Sequence, residues 1–324
     1  MQSLSVSGQE FRMGSGGLLV QIETGITCRP VSPWFRLDFR DISETRFMSQ
    51  RSILITGCSS GIGYDAAHTL KARGWRVLAS CRSAEDCERL ESEGLESFVL
   101  DYAHEESVAQ GAALALELTD GKLDALFNNG AYAIPGLVDD LPRDALRAIF
   151  ETNFFGQFDL VNRILPAMRE RGSGRIVNCS SILGFTALQF RGAYNATKFA
   201  MEGLTDTIRL EYSDTNIQFS LIEPGPISTK IREKSIPHFE KWIDWKNSPN
   251  RQRYEEVLRP RLYEPASKKD RFELQPAAVT QKLIHAIEHE KPRARYYVTT
   301  PTYLAGVLKR CLSTRAFDRF CRNI

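Results

Sequence analysis

A serine at 181, a tyrosine at 194 and a lysine at 198 fall in one stretch, SSILGFTALQFRGAYNATK, residues 180–198. If the segment is helical, Tyr194 and Lys198 share a face and the ammonium sits beneath the phenol. A free phenol titrates near about 10, too high for a base at neutral pH, and moving it toward 7 takes about 4 kcal/mol of preference for the phenolate. The lysine and a second positive charge in a partly desolvated cleft are expected to supply that preference. Tyr194 would then act as general acid or base, and Ser181, at a strand end, would hydrogen-bond a substrate oxygen as charge develops on it. Each residue alone is weak evidence, since a lone Tyr-x-x-x-Lys is usually a surface pair and a lone strand-end serine usually a turn.

Such a device needs a partner bound nearby, and the chain offers a place for one. TGCSSGIG at 56–63 carries Gly57, Gly61 and Gly63 directly after an apolar run and before a helical pattern. Strand before and helix after is the context in which such glycines admit a pyrophosphate to a helix N-terminus. Gly57, Ser59, Ser60, Gly61, Ile62 and Gly63 are therefore expected to contact a dinucleotide. The second strand ends in Ser80, Cys81 and Arg82, nineteen residues beyond Gly63, with no carboxylate at the turn because Glu85 and Asp86 come later. An arginine there suits a 2′-phosphate, so NADP(H) is favoured over NAD(H), with Ser59 as a second phosphate contact.

The elements that would hold these residues alternate. Apolar runs at 52–56, 76–80, 97–100, 125–129, 175–179, 217–222 and 296–300 read as strands, and most lack the polar alternation of a half-exposed sheet. Between them lie helical patterns. One places Ile62, Ala66 and Leu70 on a face and ends at Gly74; a longer one carries Phe150, Phe154, Phe158, Val161 and Leu165, is expected to kink at Pro166 and stops at Gly172. The expected fold is α/β: a single doubly wound Rossmann-type domain over 48–324, about seven parallel strands with helices on both faces. Residues 230–275, with Trp242, Trp245, Pro249, Pro260 and Pro265, read as an unperiodic substrate-loop insertion.

Of 324 residues, 42 are Lys or Arg and 40 Asp or Glu, a formal charge of +2 that gives no field for recruiting nucleic acid. Seven scattered cysteines without a Cys-x-x-Cys pair argue against a disulfide framework and a zinc site, so no metal is expected and a reducing cytoplasm is. No apolar run is long enough to span a bilayer. The basic, amphipathic last 24 residues are expected to pack on their own domain, with membrane contact the minor alternative. Residues 1–47 fit no leader pattern and are expected to be a dispensable or disordered extension, since Met48 directly precedes the first strand.

In combination these motifs resemble a classical short-chain dehydrogenase/reductase over 52–300. The matching elements are TGxxxGxG at 56–63, Asp101 after the third strand, Asn128-Asn129-Gly130-Ala131, Asn153, Ser181, Tyr194, Lys198 and PGPIST at 224–229. The family usually has Asn-Asn-Ala-Gly, so the third of these is a departure. The resemblance implies that Asp101 lies near the adenine, that Asn128 and Gly130 line the cofactor cleft, and that Pro224, Gly225, Ile227 and Thr229 embrace the nicotinamide half. It implies that Lys198 also holds the nicotinamide ribose, that Asn153 anchors a water beside the lysine, and that the protein is a homodimer or homotetramer. The expected reaction interconverts an alcohol and a ketone or aldehyde. Ser181, Leu183, Phe185, Leu188, Phe190 and Tyr194, with Ile227 opposite, suggest an apolar substrate, and the 293–310 segment is similar to the 17β-hydroxysteroid and retinol dehydrogenase-like branch. A catalytically silent cofactor sensor and a membrane-surface scaffold are the competing readings; the first has no need of the full Asn-Ser-Tyr-Lys set.

Overall fold

The computed structural model describes residues 50–263 and 272–322, with four short strands between residues 4 and 18. The chain divides into two units, Met1–Ser49 and Gln50–Ile324. In the first, Leu4–Val6 pairs antiparallel with Gln9–Phe11, and Met13–Gly14 with Gly17–Leu18. The rest of the predicted extension, and residues 264–271 of the insertion with Pro265, lie outside the described residues.

The second unit is built on seven parallel strands: β1 (Ser52–Thr56), β2 (Arg76–Cys81), β3 (Glu96–Val99), β4 (Ala125–Asn128), β5 (Gly174–Cys179), β6 (Ile217–Glu223) and β7 (Arg295–Tyr297). They lie in the order β3-β2-β1-β4-β5-β6-β7, so the direction of winding reverses between β1 and β4. The outer strand β3 is half exposed, while β1, β4 and β6 are buried on both faces, as continuous apolar runs require. Alternation along β1 sorts the core: Ile53 and Ile55 pack with Ala66, Leu70, Val279 and Leu283 on one face, and Leu54 packs with Val108, Leu160 and Ile164 on the other. The helices that cover the sheet are α1 (Gly61–Ala72), α2 (Ala84–Ser92), α3 (Glu105–Leu118), α4 (Arg143–Phe150), α5 (Gly156–Arg171) and α6 (Gly192–Glu211), and later α10 (Ala277–Glu288). The predicted doubly wound α/β architecture is the one observed.

Three local readings need correction. The long helix expected around Phe150 is two helices joined by a π-helical turn, Glu151–Phe155, and Pro166, the expected kink, lies inside the second of them, α5. The extra residue of the π turn breaks the register, so the phenylalanines do not form the core stripe: Phe158 is 39% exposed, and the buried face is Leu160, Val161, Ile164, Leu165 and Met168. The last strand stops at Tyr297, because a helix, α11 (Thr300–Cys311), starts directly after Thr299 with Pro301 as its second residue.

The insertion, read as irregular, is largely helical: α7 (Ile231–Trp242), α8 (Arg251–Arg253), a π turn over Tyr254–Leu258 and α9 (Arg259–Tyr263). Its two ends are tied together where Ser228 N–H donates to Leu274 O at 2.9 Å and Leu274 N–H to Pro226 O at 3.2 Å. Chain closed at its base in this way is a strap, not a free loop. The C-terminal segment forms α11 and α12 (Thr314–Arg322), and no described helix is long and apolar enough to cross a membrane.

Candidate active site

Strand β1 delivers Thr56 to the switch point and the chain then turns at Gly57, whose φ of 69° an L side chain rarely adopts. A Cβ on Gly57 would lie 2.7 Å from Gly130 Cα, and one on Gly63 would lie 2.5 Å from the Gly57 carbonyl oxygen. Backbone packs on backbone here, which makes a floor that only glycine permits. Asn129 locks it, its Nδ2 donating to Thr56 O at 3.0 Å and its N–H to Thr56 Oγ1 at 2.9 Å. Ser59 and Ser60 follow, with the Arg89 guanidinium holding the Ser59 carbonyl at 2.9 Å and the Ser60 side chain left unused as a cap. Helix α1 has no acidic residue in its first turn, so its open N–H groups offer an uncompensated positive end. Gly61, at φ 63°, faces Thr229, whose Cγ2 a Cβ would meet at 3.1 Å. The 224–229 loop thus reaches the turn from the other side, and the residues present fit a dinucleotide between them.

The Gly130-Ala131 order has a local cause. A Cβ at 130 would stand 3.2 Å from the Tyr102 ring, and that ring is fixed because its hydroxyl is shared between Thr56 Oγ1 at 2.8 Å and Asn128 Oδ1 at 2.6 Å. The same network corrects the role expected of Asn128. Its side chain is fully buried and spent on Tyr102, on Asn178 Oδ1 at 3.0 Å and on Gln157 O at 3.4 Å, so it braces β4 and presents no amide to the cleft. Arg82 is exposed at the end of β2, within electrostatic reach of Tyr132 and His238. Asp101 closes a turn after β3 by accepting Ala103 N–H at 3.0 Å. Gly225 is packed so closely that a Cβ would overlap Thr299 Oγ1, and Pro224 accepts Ile182 N–H at 2.7 Å, which ties this loop to the segment bearing Ser181.

The residues predicted to transfer the proton lie around α6. Ser181 Oγ accepts Leu183 N–H at 3.1 Å and donates to Pro224 O at 3.4 Å, and it lies close enough to the Tyr194 phenol to favour its charged form. Lys198 Nζ is 5.7 Å from the Tyr194 ring centroid and donates to Cys179 O at 2.7 Å, the backbone at the end of β5. Asn153 occupies the π turn; its Nδ2 donates to Tyr132 O at 2.8 Å and to Thr197 Oγ1 at 3.3 Å, and its Oδ1 accepts Tyr132 N–H at 3.0 Å. Its side chain therefore stitches the loop after β4 to α6, one position before Lys198.

The electrostatics depart from the expected sign. Burial is the largest influence on Tyr194 and raises its phenol above the ordinary range, against the smaller lowering from Ser181 and Arg191. Burial also brings Lys198 down to about 8, with Cys179 and Glu202 opposing. In the protein alone burial outweighs any pull of the lysine on the tyrosine: both groups are desolvated, and desolvation disfavours the charged form of each. The arrangement holds Tyr194 as a phenol, the state a proton donor requires.

On the other side of Tyr194 lies an apolar cluster. Leu183, Phe190 and Tyr194 pack with Ile134 and Leu137, and Phe239, Ile243, Tyr254, Leu258 and Leu262 join them from the strap, with Leu188, Trp242 and Trp245 at the margin. Phe185 is not part of it; its ring stacks on Tyr297 at 5.5 Å, toward α11, and Ile227 packs with the sheet-face core below α1.

Comparison with known proteins bears directly on this arrangement. The family described as short chain dehydrogenase matches residues 51–239. The chain belongs to that family. Like it, an uncharacterised oxidoreductase of Escherichia coli K12, YbbO, is 40% identical over 85% of this chain and 95% of its own. Human retinol dehydrogenase 8 is 34% identical over 76% of this chain and 80% of its own. A solved short-chain dehydrogenase from Streptomyces avermitilis superposes with a TM-score of 0.67 at 28% identity, covering 82% of this chain and 94% of that one. The chain is thus an oxidoreductase of the short-chain dehydrogenase family, whose fold binds a nicotinamide cofactor.

Behind the candidate catalytic residues of this short-chain dehydrogenase lies a charged cluster that sequence reading missed. Arg295, on β7, binds Glu202, Glu223 at 2.5 Å and Asp206 at 2.6 Å. Glu202 is one turn beyond Lys198 on α6, and Glu223 directly precedes Pro224, so one guanidinium ties α6 to the 224–229 loop. Glu223 is fully buried, and burial, with the Glu202 charge second, pushes it up to about 8. The one signal in the sequence was the Lys198/Glu202 spacing, which puts both on one face.

Proposed function

We propose that this short-chain dehydrogenase uses NADP(H) to interconvert an alcohol and a ketone or aldehyde on an apolar, steroid-, retinoid- or lipid-like substrate. The observation that carries the proposal is Tyr194: a buried phenol with Ser181 beside it and the Lys198 ammonium 5.7 Å from its ring centroid, packed in the apolar cluster. Gly57, Gly61, Gly63, Thr229 and the α1 N-terminus would hold the dinucleotide, which supplies hydride chemistry when bound. Ser181 orients the substrate oxygen and Tyr194 protonates it, or deprotonates it in the reverse direction. The Lys198 ammonium, fixed by Cys179 O, lowers the cost of the phenolate charge that this transfer leaves. In this reading Lys198 also holds the nicotinamide ribose, and the π-turn backbone at Asn153 anchors a water that replaces the proton. Burial favours the protonated phenol, the form that carbonyl reduction uses.

The NADP preference rests on Arg82 and on the lack of a carboxylate at the β2 turn. Arg82→Asp should lower the NADPH-to-NADH ratio of kcat/KM by at least about a hundredfold, the combined effect of removing a charge-assisted phosphate contact and adding repulsion. The assay is cofactor oxidation against a panel of hydrophobic ketones and aldehydes. An unchanged ratio sinks the cofactor assignment, and no turnover across the panel sinks the substrate class.

The apolar cluster and retinol dehydrogenase 8 support the substrate class together; neither names the compound. Leu146, Phe155, Phe158 and Phe199, exposed on α4, the π turn, α5 and α6, support a homodimer or homotetramer. The six described cysteines are unpaired, four of them buried, which supports a reducing compartment such as the cytoplasm.

A further inference from the structure

The strap crosses the cofactor cleft with a basic face. Lys234, His238 and Lys241 lie on α7 at spacings of four and three, one stripe of that helix, while Ser235 and Phe239 turn inward. Lys234 Nζ donates to Ser60 Oγ at 2.8 Å and to Ser59 Oγ at 3.1 Å, the two serines of the glycine-rich turn. Among the described residues no carboxylate pairs with it. His238 stacks on Tyr132, centroids 4.1 Å apart, and its imidazole is held below its usual range by burial and then by Arg82 and Lys241. Arg82 from the β2 turn and Lys241 from the strap thus both act on His238, one helical turn beyond Lys234.

An ammonium held by neutral hydroxyls, beside a helix N-terminus without an acidic residue, is a charge lacking its counter-ion. We propose that Lys234 is a phosphate-binding residue of the dinucleotide site, contributed by the strap and seated over Ser59 and Ser60. This rests on the reading of that cleft as a cofactor site and adds a residue to it from outside the Rossmann-type half. Ligand phosphate replaces the serine hydroxyls as the acceptor of Lys234, and the strap is thereby fastened over the bound cofactor. The phosphate is either the pyrophosphate at α1 or the 2′-phosphate toward Arg82, and cofactor choice separates the two.

The test is a fluorescence titration of NADPH and of NADH against the full chain, wild type and Lys234→Gln, with Lys234→Arg as the charge-preserving control. Lys234 is exposed, so the variant is expected to keep the wild-type melting temperature. The Kd for NADPH should rise about tenfold in Lys234→Gln and stay within about threefold in Lys234→Arg. An equal rise for NADH assigns the lysine to the pyrophosphate; an unchanged NADH Kd assigns it to the 2′-phosphate. Both Kd values within twofold of wild type in the folded Lys234→Gln protein overturn the proposal. If the wild type binds NADH as tightly as NADPH, the NADP preference fails, and Lys234 is then judged by the shared loss alone.

Discussion

Replacing Tyr194 with phenylalanine should lower kcat for carbonyl reduction by about a thousandfold or more while leaving cofactor affinity within about threefold of wild type. The ring is 9% exposed and packs with Leu183, Phe190 and Ala193, contacts that phenylalanine keeps. What is lost is the hydroxyl, the group proposed to give the substrate oxygen its proton with Ser181 beside it. No other acid stands in its place: Lys198 donates to Cys179 O, and Ser181 lacks a base to recharge it. Steady-state kinetics together with a cofactor titration check this. A variant that retains a tenth of wild-type turnover would remove Tyr194 from the proton transfer; one that loses cofactor binding would show the substitution had disturbed the cleft.

Arg295→Met should be the most destabilising single change at the site, costing about 3–5 kcal/mol and about 6–15 °C in Tm. The arginine is the shared cation of three carboxylates, and Glu223 among them has a fully buried side chain. Its removal leaves Glu202 and Glu223 facing each other, and each already has one buried oxygen without a partner. The sign with pH follows from Glu223. A carboxyl whose folded value is raised to about 8 stabilises the fold below the ordinary carboxylate range, and that contribution is lost as pH rises through about 8. The defect of Arg295→Met should therefore be largest above pH 8 and shrink toward pH 5, and adding Glu202→Gln should restore part of it. Thermal melts at several pH values read this, and a loss below 1 kcal/mol that is flat with pH would mean the cluster is solvated and structurally idle.

The strands were legible because a sheet buried on both faces writes itself as apolar runs, and six of the seven predicted runs overlap the observed strands almost residue for residue. The candidate catalytic residues stood out because their types and spacing are those that one reaction demands. What escaped notice depends on chain brought together from afar. The π turn at Glu151–Phe155 adds one residue to a helix, which a periodic pattern cannot reveal; it even made Phe158 look like core. Asn128 was placed on the cleft because its position in the motif is visible, while Tyr102, which captures its side chain, gives no sign of doing so. The raised phenol of Tyr194 could not be foreseen from an adjacent lysine, since burial acts on both groups and only the fold says how deep they lie. Lys234 is one charge in a charged run until α7 folds back over Ser59 and Ser60.

The central claim is that Tyr194 works as a buried, protonated acid whose transferred charge is met by the Lys198 ammonium. It is tested most directly by the pH profile of kcat/KM for carbonyl reduction. With Tyr194 raised and Lys198 lowered to about 8, the rate should be level through neutrality and fall above about pH 8, as the ammonium becomes an amine. A rate that climbs from pH 7 to 9, or holds level to pH 10, would contradict it.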